Sequence, residues 1–150
     1  MVRAILNMIS MPTISDIFVD TSAFVSLWDD LDSNHIKAIK LQVKLEKLKV
    51  NVFTSSDVIG ETLTVISRKI GKKESTQFYE NFKKSKVDEI FISESIHQET
   101  IKFFVRIKSK NISFIDCSSV IAMKRNKISV IFSFDQGFKK LGVKLLEDVV

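Results

Sequence analysis

One short stretch, residues 17–24, constrains the fold of this 150-residue chain more than any other. Its first three residues, Ile17 to Val19, are apolar and favour β structure, so they predict a short buried strand. Asp20 comes next, followed by two hydroxyl residues that suit a turn or a helix N-cap. An apolar helix then begins at Ala23. A carboxylate therefore lies where a strand ends and a helix begins, the edge at which open α/β sheets bind ligands.

The rest of the chain alternates between strand-like and helix-like segments. Strands are predicted at 17–20, 51–54, 87–92, 129–134 and 143–146, and helices at 23–30, 33–49, 56–70, 72–84, 95–108 and 116–125. We also expect a short helix around Phe138 and Leu141. Alternation of this kind favours a parallel sheet with helices on both faces. The predicted fold is therefore a three-layer α/β/α sandwich with a small, mainly parallel sheet.

Length and composition indicate a single domain. The apolar share of 45% and the charged share of 27% are ordinary for a globular protein. We assign residues 16–150 to this domain and residues 1–15 to a partly disordered N-terminal extension. No apolar run approaches the ~18 residues of a membrane-spanning helix, so we expect no membrane insertion. The first fifteen residues lack the long apolar core and cleavage motif of a signal peptide.

Charge, cysteine and histidine content limit the expected partners, compartment and metal sites of the protein. The formal net charge of +5 favours polyanionic partners such as RNA or DNA. The single cysteine, Cys117, excludes an intrachain disulfide and fits a reducing cytoplasm. The two histidines, His35 and His97, lie far apart in sequence and have no cysteine partners, so we expect no zinc site.

Four acidic residues have settings that differ from those of ordinary surface acids. Asp20, Asp116 and Asp135 each follow an apolar run, and Glu61 lies in the first two turns of an apolar helix. Any one of the aspartates could simply cap a helix or pair with one of the 23 basic residues. Neither explanation accounts for acids at three strand ends and at a helix start. We therefore expect the four acids to converge.

Converging carboxylates repel one another, which predicts a bound cation. Two unit charges about 4 Å apart cost about 4 kcal/mol at an effective dielectric of 20. Oxygen ligands suit Mg²⁺ or Mn²⁺ rather than zinc or copper. Such ions activate water and stabilise a leaving oxygen, which fits hydrolysis of a phosphodiester. Ser22, two residues after Asp20, and Ser133, two residues before Asp135, could orient a carboxylate or a bound water.

The segments that carry these acids resemble the motifs of the PIN-domain family, and most closely those of VapC-type toxin ribonucleases. The matching segments are, in chain order, Val19 to Ala23, Glu61, Ser113 to Asp116 and Ser133 to Phe138. The last of them is similar to the family's S/T-x-D-x-x-F pattern. The likeness covers about residues 16 to 147. The N-terminus departs from the family pattern, because about fifteen residues precede the first strand where family members commonly have only a few.

The resemblance implies a Mg²⁺- or Mn²⁺-dependent endoribonuclease in which an activated water attacks the RNA backbone. The implied catalytic and metal-binding residues are Asp20, Glu61, Asp116 and Asp135, with Ser22 and Ser133 in supporting roles. It also implies homodimers and, for a toxin, inhibition by a cognate antitoxin protein. We further expect Lys124, Arg125 and Lys139, which lie near predicted strand ends, to hold substrate phosphates.

Two other functions stay open from the sequence. One is a catalytically silent domain of the same fold that binds RNA or a protein. The other is an aspartyl phosphotransfer domain, either a receiver or a phosphatase, since an aspartate after the first strand suits both. The phosphatase pattern requires a second aspartate where Ser22 stands. A receiver requires paired acids near the first strand, where only Asp20 is present.

Overall fold

A computed structural model of the chain describes residues 1–3 and 13–150. The predicted N-terminal extension, residues 1–15, therefore lies largely outside the described residues. Within them, five strands form one sheet, and every pair of neighbouring strands is parallel. The strands are β1 (Asp16–Val19), β2 (Asn51–Ser55), β3 (Asp88–Ile90), β4 (Val130–Phe132) and β5 (Lys144–Leu145).

Helices connect the strands and cover the sheet. They are α1 (Thr21–Trp28), α2 (His35–Leu48), α3 (Ser56–Lys69), α4 (Lys72–Lys84), α5 (Glu94–Phe104), α6 (Phe114–Arg125) and α7 (Gly137–Lys140), with a 3₁₀ turn at Leu146–Asp148. Three of these helices begin at a serine whose hydroxyl accepts a hydrogen bond from a first-turn N–H, namely Ser55, Ser93 and Ser113. In the described part of the chain, no helix is both long and apolar enough to cross a membrane.

The two central strands are buried on both faces. Every residue from Ile17 to Val19 in β1 and from Val130 to Phe132 in β4 is at most 5% exposed. Successive side chains of a strand point to opposite faces of its sheet, so both faces must be covered. The predicted three-layer α/β/α sandwich with a parallel sheet is thereby confirmed.

The order of the strands, β3-β2-β1-β4-β5, places β1 at the point where the chain reverses its direction of travel across the sheet. The chain first moves from β1 to β2 and β3, and then returns to β4 on the other side of β1. Ligands bind α/β sheets in the crevice outside the carboxyl ends of the strands at such a point. Asp20 is the first residue after the carboxyl end of β1, and its N–H donates to the carbonyl of Phe132, 3.0 Å away.

Four helix starts differ from their predicted positions. Helix α1 begins at Thr21 rather than Ala23, α2 begins at His35 rather than Ser33, and the starts of α5 and α6 also differ. Helix α6 begins at Phe114 rather than at Asp116, because Ser113 and Asp116 form a capping box in which each side chain accepts from the other's backbone N–H. Helix α5 begins at Glu94, one residue before the predicted start, because Ser93 caps it by accepting from the N–H of Ile96.

Candidate active site

A cleft of about 460 Å³ opens at the carboxyl ends of β1 and β4. All four predicted acids line it: Asp20 after β1, Glu61 on α3, Asp116 on α6 and Asp135 after β4. The other residues of its lining are Thr21, Ser22, Val25, Ser26, Asp32, Asn34, Val65, Asn111 and Ser113. No lysine or arginine of the described chain is among them. The cleft is therefore acidic, although the chain as a whole carries a net charge of +5.

Asp20 is the most deeply placed of the four acids, with 5% of its surface exposed. Its Oδ2 accepts hydrogen bonds from the hydroxyls of Ser133, 2.9 Å away, and Ser22, 3.2 Å away. These hydroxyls are tied to the main chain, because Ser133 Oγ accepts from the N–H of Asp135 and Ser22 Oγ from the N–H of Phe134. The residues that follow β1 and β4 therefore hold one carboxylate oxygen between them.

Burial raises the pKa of Asp20 from 3.8 to about 6. The hydrogen bond from Ser133 acts in the opposite direction, and the negative charges of Asp116 and Glu61 raise the pKa further. No basic side chain of the described residues is among the main causes of this shift. Asp20 is thus a buried carboxylate on which the main charged influences are other acids.

Glu61 is oriented by a residue from the other side of the cleft. The hydroxyl of Thr21, the first residue of α1, donates to Glu61 Oε2 on α3. The sequence suggested only a turn or cap role for Thr21. Nothing in the local pattern identifies its partner, because the two residues are 40 positions apart and meet only after α1 and α3 have packed together.

Asp116 enters the cleft from the first turn of α6. Its Oδ2 accepts from the N–H of Ser113 at 2.8 Å, so the capping box that starts the helix also fixes the carboxylate. Burial raises the pKa of Asp116, and the charges of Asp135 and Glu61 add to this effect. Asp116 therefore combines a structural role at the helix start with a place among the acids of the cleft.

Asp135 lies in a tight turn between β4 and α7. Its Oδ1 accepts from the N–H of Gly137 at 2.8 Å. A Cβ atom at position 137 would lie 3.0 Å from the same oxygen, closer than side chains normally approach. The glycine therefore allows the backbone to approach the carboxylate and hold it.

The donor atoms of the cleft suit a hard divalent cation. Carboxylates and hydroxyls dominate the polar lining, and oxygen ligands of this kind suit Mg²⁺ and Mn²⁺. In the ranges 1–3 and 13–150, however, no three acids, histidines or cysteines are close enough together to form a ready-made ligand set. The acids share one cleft rather than forming a closed cage, so side chains would have to move to bring them onto one ion.

The three basic residues predicted to hold phosphates are engaged elsewhere. Lys124 Nζ lies 5.1 Å from the ring centroid of Phe103, and Arg125 forms a salt bridge with Glu99. Lys139 forms a salt bridge with Asp148 at 3.1 Å. None of the three lines the cleft. The sequence contains too many lysines for their positions alone to identify the ones near the site.

A comparison with known families decides the classification. The model of the PIN domain matches residues 17–144. This chain belongs to the PIN-domain family. The predicted resemblance of the chain to the PIN-domain family is thereby confirmed.

The relatives are VapC-type proteins. The chain is 27% identical over 126 residues to the 23S rRNA-specific endonuclease VapC20 of Mycobacterium tuberculosis, which covers 84% of this chain and 94% of the relative. The crystal structure of that protein, described as a Sarcin-Ricin loop cleaving toxin, matches with a TM-score of 0.78 and 26% identity over 85% of this chain and 95% of that one.

More distant structures share the fold. VapBC2 from Rickettsia felis, bound to a DNA fragment from its promoter, matches with a TM-score of 0.58 and 16% identity over 87% of this chain and 96% of that one. FitAcB from Neisseria gonorrhoeae matches with a TM-score of 0.57 and 16% identity over 86% and 95% of the two chains. Both likenesses concern the fold alone.

Proposed function

We propose that this protein is a metal-dependent endoribonuclease that hydrolyses RNA phosphodiester bonds, and that it is the toxin of a toxin–antitoxin pair. The observation that carries the proposal is the acidic cleft at the carboxyl ends of β1 and β4, which the four predicted acids line and no lysine or arginine of residues 1–3 and 13–150 does. Family membership and the similarity to an endonuclease that acts on 23S rRNA support the same activity.

The residues that would hold Mg²⁺ or Mn²⁺ are Asp20, Glu61, Asp116 and Asp135. When bound, the ion would supply an activated water and charge compensation for the phosphodiester. It would also offset the burial and the repulsion between acids that together raise the pKa of Asp20 and Asp116. Because an RNA substrate is a polyanion, an acidic cleft without a cation would repel it.

The chain's own contribution is to orient the acids before the substrate arrives. Ser22 and Ser133 hold Asp20, Thr21 holds Glu61, and backbone N–H groups hold Asp116 and Asp135. Each carboxylate therefore has one oxygen engaged by the fold. Preorganised groups need less rearrangement during the reaction, which is a main source of catalytic power in enzymes.

An apolar groove away from the acids suits an antitoxin partner. It has a volume of about 570 Å³, and its apolar lining includes Phe24, Leu27, Leu45, Val52 and Val87. Exposed grooves of this kind accept the apolar face of a partner helix. We propose that a cognate antitoxin inserts such a segment here.

A second apolar surface suits self-association. Ile101, Phe104 and Val105 are 39%, 40% and 72% exposed, and their spacing places them on one side at the end of α5. Unpaired apolar surfaces of this kind mark interaction sites. We propose that this surface joins two copies in a homodimer and that the protein works in the cytoplasm, where its single cysteine, Cys117, stays reduced.

One observation favours a second candidate, a catalytically silent domain that binds RNA or a protein. Among the described residues, the acids do not form a ready-made ligand set for one ion. A silent domain would bind RNA or a protein without cutting and without a requirement for a divalent ion. Cleavage and metal dependence therefore separate the two candidates.

The test of the proposed function is cleavage of a labelled, structured RNA in Mg²⁺, Mn²⁺ or EDTA, with the wild type beside Asp20→Asn. We expect cutting in either metal, none in EDTA, and a loss of at least about 100-fold in the variant, within the range seen when catalytic acid–base groups are removed. Equal cutting by both proteins would indicate a contaminating nuclease and would leave the proposal without support.

A further inference from the structure

Two asparagines in the cleft differ from the other asparagines that the structure describes. Asn51 donates its amide to Asp16, Asn126 donates to the carbonyl of Ala122, and Asn81 accepts from Gln77, so these three use their side chains within the fold. The two that line the cleft are Asn34, between α1 and α2, and Asn111, between α5 and α6. Neither forms a side-chain hydrogen bond with another described residue.

Asn34 occupies a position where its side chain would ordinarily be used. It is the N-cap residue of α2, and asparagine is among the best N-caps because its oxygen accepts from a first-turn N–H. Here no such bond forms. Asn34 is among the residues that line the cleft. Helix capping therefore leaves this side chain free to bind another partner.

The loop that carries Asn34 is held in place. Asp29 and Asp32 each accept from Lys69 Nζ at 2.9 Å. The Oδ1 of Asp32 also accepts from the hydroxyl of Ser26 and from the backbone N–H of Asn34, both at 2.9 Å. A fixed loop loses little conformational entropy on binding, so a recognition group placed on it is more selective.

Carboxamides have the chemistry that base recognition requires. Each presents a donor and an acceptor side by side, and this pair matches the edge of a nucleobase. RNA is read in sequence mainly through unpaired bases, whose edges are accessible to such groups. With no lysine or arginine in the described lining, the neutral amides are the groups best suited to bind bases rather than phosphates.

We propose that Asn34 and Asn111 are specificity-determining residues that hydrogen-bond to unpaired bases flanking the scissile phosphate. This inference rests on the proposed ribonuclease function and adds a class of substrate, a single-stranded or looped RNA selected by base identity. The two residues lie on different loops at the cleft, so each reads a different nucleotide.

The experiment is cleavage of an RNA library with a randomised loop, followed by sequencing of the new ends, for the wild type, Asn34→Ala and Asn111→Ala. The matched control is Asn81→Ala, which removes a carboxamide on α4 outside the acidic cleft. One good base contact gives roughly a 5- to 100-fold preference. We expect each cleft variant to lose the preference at one position while cutting continues, and the control to keep both.

The outcomes separate this inference from the proposed function. If the wild type cuts with a base preference that neither cleft variant changes, the ribonuclease stands and the role of the asparagines is overturned. If no RNA is cut, the ribonuclease function fails, and retention of the same library on filters tests recognition alone. Selective retention that Asn34→Ala loses would then support the role of Asn34, and unselective retention would overturn it. Thermal melting of each variant confirms that it folds.

Discussion

Two groups of acids lie close to the same cleft and differ in what balances their charge. Asp29 and Asp32 share the ammonium group of Lys69, each at 2.9 Å. The hydrogen bond from Lys69 lowers the pKa of Asp29. The pKa of Asp32 also falls, because bonds from Lys69, Asn34 and Ser26 outweigh the effect of its burial. The second group consists of the four predicted acids that line the cleft, and burial and neighbouring acids raise the pKa of its most buried member, Asp20.

The difference shows how structural acids can be told from functional ones in this fold. A partly buried carboxylate with a fixed lysine is stable by itself and has little further capacity for a cation. A buried carboxylate surrounded by other acids stays costly until a proton or a cation arrives. Asp29 and Asp32 fix a loop, whereas the four predicted acids that line the cleft form a site that requires a bound positive charge.

The four predicted acids that line the cleft are called the uncompensated acids here, because no lysine pairs with them as Lys69 pairs with Asp29 and Asp32 in the described chain. Placing a lysine among them should remove this difference in charge balance. Val65 lines the cleft one turn after Glu61 on α3, so Val65→Lys would bring an ammonium group beside the acids. We expect RNA cleavage to fall about 100-fold or more, because a fixed charge would take the place of the cation and its chemistry. The measurement is the initial cleavage rate in Mn²⁺.

The matched control for that variant is Thr64→Lys, which adds the same charge at the neighbouring exposed position of α3. It should cut RNA at close to the wild-type rate. Equal losses in both variants would mean that added charge harms the protein in general, and the interpretation of the cleft acids would then lose its basis.

Divalent ions should stabilise the protein through the uncompensated acids. At an ion concentration of 100 times Kd, binding adds about 2.7 kcal/mol, which corresponds to a rise in Tm of roughly 5–10 °C for a chain of this size. Asp135→Asn should weaken the response, whereas Asp30→Asn, a change at an exposed acid, should keep it. A full response in Asp135→Asn would argue against a shared ion.

The metal-free protein should become less stable as the pH rises from about 4 to 6. Asp20 has a pKa of about 6 in the folded state against 3.8 as its ordinary value. Between these values the folded state retains a proton that the unfolded state has released, so the free energy of unfolding falls with rising pH, by up to about 3 kcal/mol. Asp116, whose pKa is also raised, acts with the same sign.

Urea denaturation in EDTA at several pH values measures this slope, and Asp20→Asn should flatten most of it. Asp29 and Asp32 have lowered pKa values, so their contribution is lost only as the pH falls below about 4, outside the window. A variant that retained the wild-type slope between pH 4 and 6 would show that Asp20 is not the group responsible.

Removing the ammonium group that Asp29 and Asp32 share should have the smallest effect on stability and activity. Lys69→Met leaves Asp29 and Asp32 without their shared partner, so we expect Tm to fall by a few degrees. Cleavage should continue, since Lys69 does not line the acidic cleft. Lys69→Arg, which restores a cation, should recover part of the loss in a thermal melt. Complete loss of cleavage at unchanged stability would contradict the purely structural role of Lys69.

The sequence was sufficient for the sheet edge and the identity of the acids. β1 ends directly before Asp20 and β4 ends three positions before Asp135, and parallel strands place such ends at one edge. The start of α6 was predicted two residues too late, although Ser113 and Asp116 have the spacing of a capping box.

The contacts between distant segments could not be predicted. The hydrogen bond from Thr21 to Glu61 and the position of Asn111 in the cleft depend on how the helices pack. The chain contains many similar lysines, and only the folded structure shows that Lys69 pairs with Asp29 and Asp32 and that Lys139 pairs with Asp148. Local sequence patterns carry no information about such long-range choices.

Titration of Mn²⁺ into the metal-free protein by calorimetry tests the central claim most directly, because it needs no knowledge of the RNA. We expect saturable binding by the wild type that Asp20→Asn weakens strongly and Lys69→Met leaves unchanged. Absence of Mn²⁺ binding by the folded wild type, or equal binding by Asp20→Asn, would contradict the claim that the uncompensated acids form a metal site.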